Sequence, residues 1–228
     1  MLRRWRHRKR CARLAGKCAD AKLKAYLEAC ARLDIDDAGN TPIIAVDFEL
    51  TGLDAATNTI VSMGWVLIDG GRIQIGTSRH LLIISEQSVG SSAAIHELLD
   101  SELADGLEIN EGLEQLFEAA AGRVWVFHHA DLDLAFLQKA CVRWAGRSPP
   151  FVVLDTMQIE LGLRKRREIP VQQGELQLGQ LRSVYNLPRY TAHNAISDAF
   201  ATAELLLAMT SRMAGNGSLK LGPYLRFY

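Results

Sequence analysis

The sequence predicts a mixed α/β domain, a five-stranded sheet flanked by helices, with a basic helical extension ahead of it. Three observations carry that reading. Residues 43–84 hold three consecutive strand-like segments. Beyond them, short apolar strands alternate with helical periods, the pattern of a mixed sheet covered by helices. Positive charge is concentrated at the start of the chain: residues 1–33 carry eleven Lys+Arg against two acids, a net +9, and residues 34–228 carry 15 against 24, a net −9. The neutral total therefore conceals a basic arm on an acidic body.

The arm reads as one helix from Arg8 to Leu33, with Leu23, Leu27 and Cys30 on one face. The turn-rich segment Asp34–Asn40 closes it and marks a boundary. Residues 1–40 are thus expected as the extension, 41–212 as the main domain and 213–228 as a short tail. Strands are expected over Ile43–Phe48, Ile60–Ile68 and Ile73–Ile84, with Asp69-Gly70-Gly71 turning the second hairpin. Leucines spaced three and four apart predict a helix over Ser91–Ala121. Val124–Phe127 is a buried strand, Asp131–Trp144 a helix and Phe151–Leu154 another strand, with further helices over 175–185 and 194–212.

Composition excludes several classes. At 228 residues, 48% apolar and 23% charged, the chain has the make-up of a globular domain and enough length for a core. No apolar run exceeds five residues, so no membrane span is expected. Four cysteines without a CxxC pair read as reduced thiols in a cytoplasmic protein. The first ten residues hold six positive charges but no apolar stretch follows, which disfavours a secretory leader.

Four carboxylates do not fit a solvated surface. Asp47 and Glu49 end the first strand and, by its alternation, project to one side together, where like charges repel unless a cation lies between them. Asp133 heads the apolar stripe of its helix, stacking with Phe136, Leu137 and Ala140. Asp131, by contrast, reads as an ordinary N-cap. Asp198 sits among Ala195, Ala201, Thr202 and Leu205, small neighbours that let a helix approach the sheet. Four acids converging on one point call for metal, and hard oxygen donors select Mg²⁺ or Mn²⁺. His193 lies off the face of Asp198 and must come from the preceding turn, where a neutral imidazole takes protons from water. Thr191 or Asn194 begins the helix that follows. The run Arg164-Lys165-Arg166-Arg167 reads as a solvated helix end more than a phosphate site.

Three segments, Asp47-Phe48-Glu49-Leu50-Thr51-Gly52-Leu53, His128 to Leu137 and His193-Asn-Ala-Ile-Ser-Asp198, resemble in order and spacing the motifs of the DEDDh 3′→5′ exonuclease family. The likeness is greatest to the proofreading epsilon subunits of bacterial DNA polymerase III and extends over residues 41–210. It implies a ribonuclease H-like fold and release of nucleoside monophosphates from 3′ ends, single-stranded or frayed DNA above all. It also implies two bound Mg²⁺ or Mn²⁺ ions held by Asp47, Glu49, Asp133 and Asp198, with His193 as general base. Phe48, Leu50, Thr51, Gly52, Leu53, His128 and Phe136 would meet the substrate, Leu53 packing on the terminal base. A DNA polymerase or another replication or repair protein is the implied partner. The sequence departs from the family at His129, Leu132, Ser62 and His96-Glu97-Leu98, none of which removes a ligand or the base. The first motif, running on to Asp54, also resembles the oligoribonucleases, so an exoribonuclease of the ribonuclease T or oligoribonuclease type is the alternative. A non-catalytic binding module ranks behind both, since all five reactive residues are present. The arm reads as mixed: its helical part docks on the body, and Arg3 to Arg10 stay free to touch nucleic acid.

Overall fold

The computed structural model describes residues 2–85, 103–190 and 193–228. Its centre is a sheet of order β3-β2-β1-β4-β5-β6. The strands are β1 (Ile43–Leu50), β2 (Ile60–Asp69), β3 (Arg72–Leu82), β4 (Val124–Phe127), β5 (Val152–Asp155) and β6 (Arg226–Phe227). β1 to β3 form an antiparallel meander, β4 and β5 run parallel to β1, and β6 closes the edge antiparallel to β5. Gly70 and Gly71 both take positive φ (59° and 67°) in the β2–β3 turn, the conformation a two-residue hairpin of matching twist requires.

The sheet has six strands, one more than the sequence predicts. The sixth comes from the expected tail, where Val152 pairs with Phe227 and Val153 with Arg226. Two residues are too few to carry an alternation signal. The helices are α1 (Leu2–Ala15), α2 (Ala21–Arg32), α3 (Ile109–Ala119), α4 (Ala130–Ala145), α5 (Thr156–Arg166), α6 (Leu178–Val184) and α7 (Ala195–Ala214). The single N-terminal helix is corrected to two: the chain breaks after Ala15, and Asp20 caps α2 by accepting from Leu23 N at 2.8 Å. Of the helix expected over Ser91–Ala121, residues 86–102 lie outside the described residues. Among those described, Leu103 is helical, Leu107 pairs with Ile83 in an isolated parallel bridge, and a helix of full length runs over Ile109–Ala119. Of α5 only the end was expected, in the run Arg164–Arg167 read as a solvated helix end.

Alternation along β1 sends its residues into two cores. Ile44, Val46 and Phe48 join α1, α2, α3 and α4 on one face through Tyr26, Leu27, Leu116, Phe117, Leu134 and Leu137. Ile43 and Ala45 join α6 and α7 on the other, through Leu181, Leu205, Leu206 and Met209. Both faces are covered, so the polar side chains that end this strand are conspicuous. The extension docks as predicted, with Leu23, Leu27 and Cys30 buried. Its first part is not free, however. Arg3 to Arg10 lie in α1, which buries His7 and Cys11 and donates from Arg4, Arg8 and Arg10 to the carbonyls of Ile35, Ala31 and Tyr228. Among the described residues no helix is long and apolar enough to cross a membrane.

Candidate active site

β1 outruns its parallel neighbour. The β1–β4 ladder pairs only Ile43–Ala45 with Val124–Val126, leaving Asp47 to Leu50 extended past it. Odd positions on β1 face α7, so Asp47 and Glu49 point where that helix begins. Gly64, the cross-strand partner of Asp47, explains how the helix comes so close. A Cβ on Gly64 would lie 2.2 Å from the backbone carbon of Ala195, a distance no side chain can occupy. Small residues on both sides thus seat the first turn of α7 on the sheet and deliver Asp198 to β1. Carboxylate oxygens of Asp47, Glu49 and Asp198 lie within 4.8 Å of one another.

Asp133 reaches the same place from α4 on the opposite face. It is buried, and its carboxyl meets the backbone N–H of Phe48, beyond the end of the β1–β4 ladder. It stands outside the close trio, yet its charge acts on Asp47 more strongly than that of Asp198 or Glu49. Asp47 is therefore the hinge of the cluster, with Glu49 and Asp198 to one side and Asp133 to the other.

The electrostatics follow from burial of like charges. Burial, then the charges of Asp133, Asp198 and Glu49, pushes Asp47 well above the usual carboxylate range. Burial also drives Asp133 well up, against the pull of its own and the Phe48 N–H groups. Glu49 is pushed up to about 7, by burial first and by Asp198 second. Asp198 is raised by burial, although the N–H of His193 donates to its Oδ2 at 2.8 Å. No Lys or Arg makes an ion pair with any of the four among the described residues. Arg182 lines the same cleft and pulls Asp198 down, but it makes no ion pair with any of the four among the described residues; a largely buried cluster of oxygen donors in that state fits a hard divalent cation.

His193 is exposed and sits in the turn before α7 with φ 67°, while Asn194 caps the helix by accepting from Ser197 N. Thr191 lies outside the described residues. The turn is anchored from behind by Arg182, a buried guanidinium that donates to Pro188 O, Ala201 O and Glu204 Oε2 at 2.7–3.1 Å. Tyr190 leans on that guanidinium, 4.4 Å from ring centroid to Cζ, and donates to Glu204. Asp47, Phe48, Asp133, His193 and Asp198 open into one cleft of about 760 Å³, whose far wall runs through residues 171–190.

The remaining predicted residues divide. His128 lines the cleft, but both its ring nitrogens are engaged, Nε2 with Leu176 O at 2.9 Å and Nδ1 with Thr156 Oγ1 at 2.8 Å. Burial lowers it to about 4, so it is a neutral tie between walls. Phe136 is buried in the first core and does not line the cleft. Leu50 packs partly against that core. Thr51, Gly52 and Leu53 form the loop leaving β1, with Leu53 79% exposed. Lys139 secures the loop by donating to Ala56 O and Asn58 O at 3.1 and 3.0 Å. A Cβ at Gly52 would meet the Asn58 amide at 2.7 Å and displace that side chain. Ser62 is buried and bonds His80 Nε2 at 2.8 Å. Residues 96–98 lie outside the described residues.

Asp131 is not the N-cap of α4. That place belongs to His129, in left-handed conformation, and Asp155 supplies the cap by accepting from His129 N, Ala130 N and Gln158 N. Asp131 instead pairs with Arg226 at 3.3 Å and accepts from Tyr228 Oη at 2.7 Å. Asp155, followed three residues on by Gln158, carried the signature of a helix start that exposes its cap role. Arg182 and Lys139 carried no such signal, because they are held mainly by backbone carbonyls, and Arg182 also by the Glu204 carboxylate, none of which stands at a helical or strand spacing from them. Arg164 is held by Glu160 and Glu175, which removes it from any phosphate site.

A mixed sheet whose central strand ends in buried acids, with helices delivering two more, has the architecture of the ribonuclease H-like nucleases. The chain belongs to the exonuclease family (RNase_T), whose model matches residues 44–206. It is 28% identical over 205 residues to the DNA polymerase III PolC-type of Thermotoga maritima, covering 89% of this chain and 14% of that protein. It is 26% identical over 169 residues to the 3′-5′ exonuclease DinG of Staphylococcus haemolyticus, covering 74% and 18%. The chain thus spans less than a fifth of the length of either relative. Among solved structures, E. coli exonuclease I in complex with a dT13 oligonucleotide superposes with a TM-score of 0.64 over 76% of this chain and 42% of that one. At 13% identity that likeness is one of fold.

Proposed function

We propose that the protein is a divalent-metal-dependent 3′→5′ exonuclease acting on DNA 3′ ends, single-stranded or frayed, in the cytoplasm and in company with a DNA polymerase or repair protein. The observation that carries the reading is the buried carboxylate cluster opening, with His193, into a single cleft. Asp47, Glu49, Asp133 and Asp198 would hold two Mg²⁺ or Mn²⁺ ions, and the position of Asp47 between the other acids favours two ions over one. When bound, such ions neutralise the scissile phosphate and the leaving oxygen and acidify a water.

The chain's own residues supply the rest. His193, exposed at the cleft and tethered through its backbone N–H to Asp198, would take the proton of the attacking water on its imidazole. A new P–O bond forms from that water, the P–O3′ bond breaks, the leaving 3′-oxygen takes up a proton, and a nucleoside 5′-monophosphate departs. Leu53 would lie on the terminal base, with the Lys139-secured loop fixing where the 3′ end stops. The wall at Arg189 and Tyr190 would face the strand. His128 serves as a strut, and Phe136 sits behind the site as core.

An exoribonuclease is the second reading, favoured by the Asp47–Asp54 segment. One assay separates them: 5′-labelled single-stranded DNA, mispaired duplex and RNA of one sequence, each with Mg²⁺ or Mn²⁺. The proposal expects a ladder shortened from the 3′ end of DNA and nucleoside 5′-monophosphates as product. Faster shortening of RNA would transfer the reading to RNA, and internal or 5′ cleavage would refute it.

A further inference from the structure

Beyond the family match, α1 builds a second feature. With β6 and the residues before it, α1 walls a groove of about 1080 Å³ lined by Arg3, Arg4, Trp5, Arg8, Lys9 and Phe227, among others. Four cations line it against one acid, Asp34. α1 contains seven Arg and Lys and no acid, and none of the seven pairs with an acidic side chain among the described residues. Arg4 and Arg8 spend part of their donor capacity on the carbonyls of Ile35 and Ala31, which sets the helix against the body. Arg3 and Lys9 are exposed and make no such bond among the described residues. Trp5 is 54% exposed, with Lys9 Nζ 4.3 Å from its ring centroid.

Concentrated positive charge of this kind is costly to hold together unless an anion neutralises it, and among the described residues Asp34 is the one acid that lines the groove. An exposed indole beside unpaired cations takes a base on its face and phosphates at its edge, which a duplex cannot offer because its bases are already stacked. We infer that this groove is a binding site for single-stranded nucleic acid, engaging the phosphates through Arg3 and Lys9 and a base through Trp5. Through β6 the wall of the groove is tied to the helix that carries Asp133. Phe227 lines the groove, and its neighbour Arg226 pairs with Asp131 in the first turn of α4, the turn that carries Asp133. The purpose assigned to the groove, holding a strand whose 3′ end lies in the cleft, rests on the exonuclease reading. The binding itself does not.

The test is fluorescence anisotropy of a labelled long oligothymidylate on the full chain, in EDTA so that no hydrolysis intervenes, across a salt series. Arg3→Gln with Lys9→Gln should lower the slope of log affinity against log salt by about 1.4, since each single-strand phosphate contact contributes about 0.7. Trp5→Ala should weaken binding about tenfold with little change in slope, and Arg3→Lys should keep the wild-type slope. Thermal unfolding of each variant, expected to match wild type because the three side chains are exposed, separates lost binding from lost structure. Wild-type slope and affinity in the charge and tryptophan variants would overturn the groove. So would competition by polyglutamate as effective as competition by unlabelled oligothymidylate, which would mark the groove as a dock for an acidic protein. Protein that binds as expected but hydrolyses nothing when Mg²⁺ or Mn²⁺ is added would sink the exonuclease reading and leave the groove standing.

Discussion

At the scale of single residues, the account turns on four acids and one histidine. The acids hold protons more tightly in the folded, metal-free protein than in the unfolded chain, because burial raises all four and the charge of neighbouring acids adds to it at Asp47, Glu49 and Asp133. The sign follows directly. The folded state binds more protons than the unfolded one between the ordinary carboxylate range and about pH 7, so stability is greatest below that window and is lost as pH rises through it. For Glu49, moving from 4.5 to about 7, the loss is on the order of 3 kcal/mol. His7 and His128, both lowered to about 4 by burial, act in the opposite sense below their ordinary range, so the acids' share is read as the difference between wild type and Asp47→Asn, in which the histidines cancel. Metal-free Asp47→Asn should melt at a higher temperature than metal-free wild type near about pH 8, by a margin that shrinks towards about pH 5, and Mg²⁺ or Mn²⁺ should stabilise wild type more at the higher pH. A margin that is absent, or that does not grow with pH, would contradict the picture of uncompensated like charges.

His193 makes a separate prediction. His193→Ala should lower the hydrolytic rate about 10²–10⁴-fold while metal-induced stabilisation persists, the size expected of one positioned proton transfer. Added imidazole should restore part of the rate. Loss of metal-induced stabilisation in this variant would make His193 part of the metal site instead.

At the scale of elements, α7 is placed by an absence of side chain. Gly64→Ala must push Ala195 and the first turn of α7 off the sheet, because the obstructing atoms are backbone. Overpacking of this kind costs about 1–3 kcal/mol. Moving Asp198 relative to Asp47 by even an ångström should cost about 10²-fold in rate. Calorimetry and turnover measured together check this, and a variant that is destabilised yet fully active would show that α7 tolerates the shift. The elements also show what was legible beforehand. β1, α4 and α7 were readable because strand alternation and helical spacing place their acids inward within a few residues of sequence. The break between α1 and α2 was also written there, in Gly16 and the capping Asp20, but a continuous charge pattern masked it. β6 was not readable, since a two-residue strand takes its structure from β5 and not from its own sequence. Asp131 was misassigned because its real partners, Arg226 and Tyr228, arrive from the far end of the chain.

At the scale of the whole molecule, the N-terminal helices are part of the core as well as a carrier of charge. Tyr26 Oη accepts from Trp125 Nε1 at 3.1 Å and donates to Pro150 O at 3.2 Å, joining α2 to β4 and to the segment before β5. Tyr26→Phe would leave the Trp125 donor and the Pro150 carbonyl unsatisfied in a fully buried place, at a cost of about 1–3 kcal/mol. Deleting residues 1–33 should do far more, uncovering the face formed by Leu23, Leu27 and Cys30, and should yield aggregated protein rather than a nuclease lacking only its groove. A monomeric truncated protein with unchanged melting temperature would contradict that integration.

The central claim is that the four-carboxylate cluster is a divalent-metal hydrolytic centre. Its most direct measurement is the hydrolysis of 5′-labelled single-stranded DNA by wild-type protein and by Asp198→Ala, each stripped with EDTA and then titrated with Mn²⁺. The account predicts no cleavage by the stripped wild type, 3′→5′ shortening restored by the metal, and none from the variant at any concentration although it remains folded. Cleavage by the stripped wild type, or by Asp198→Ala at the wild-type rate, would contradict it.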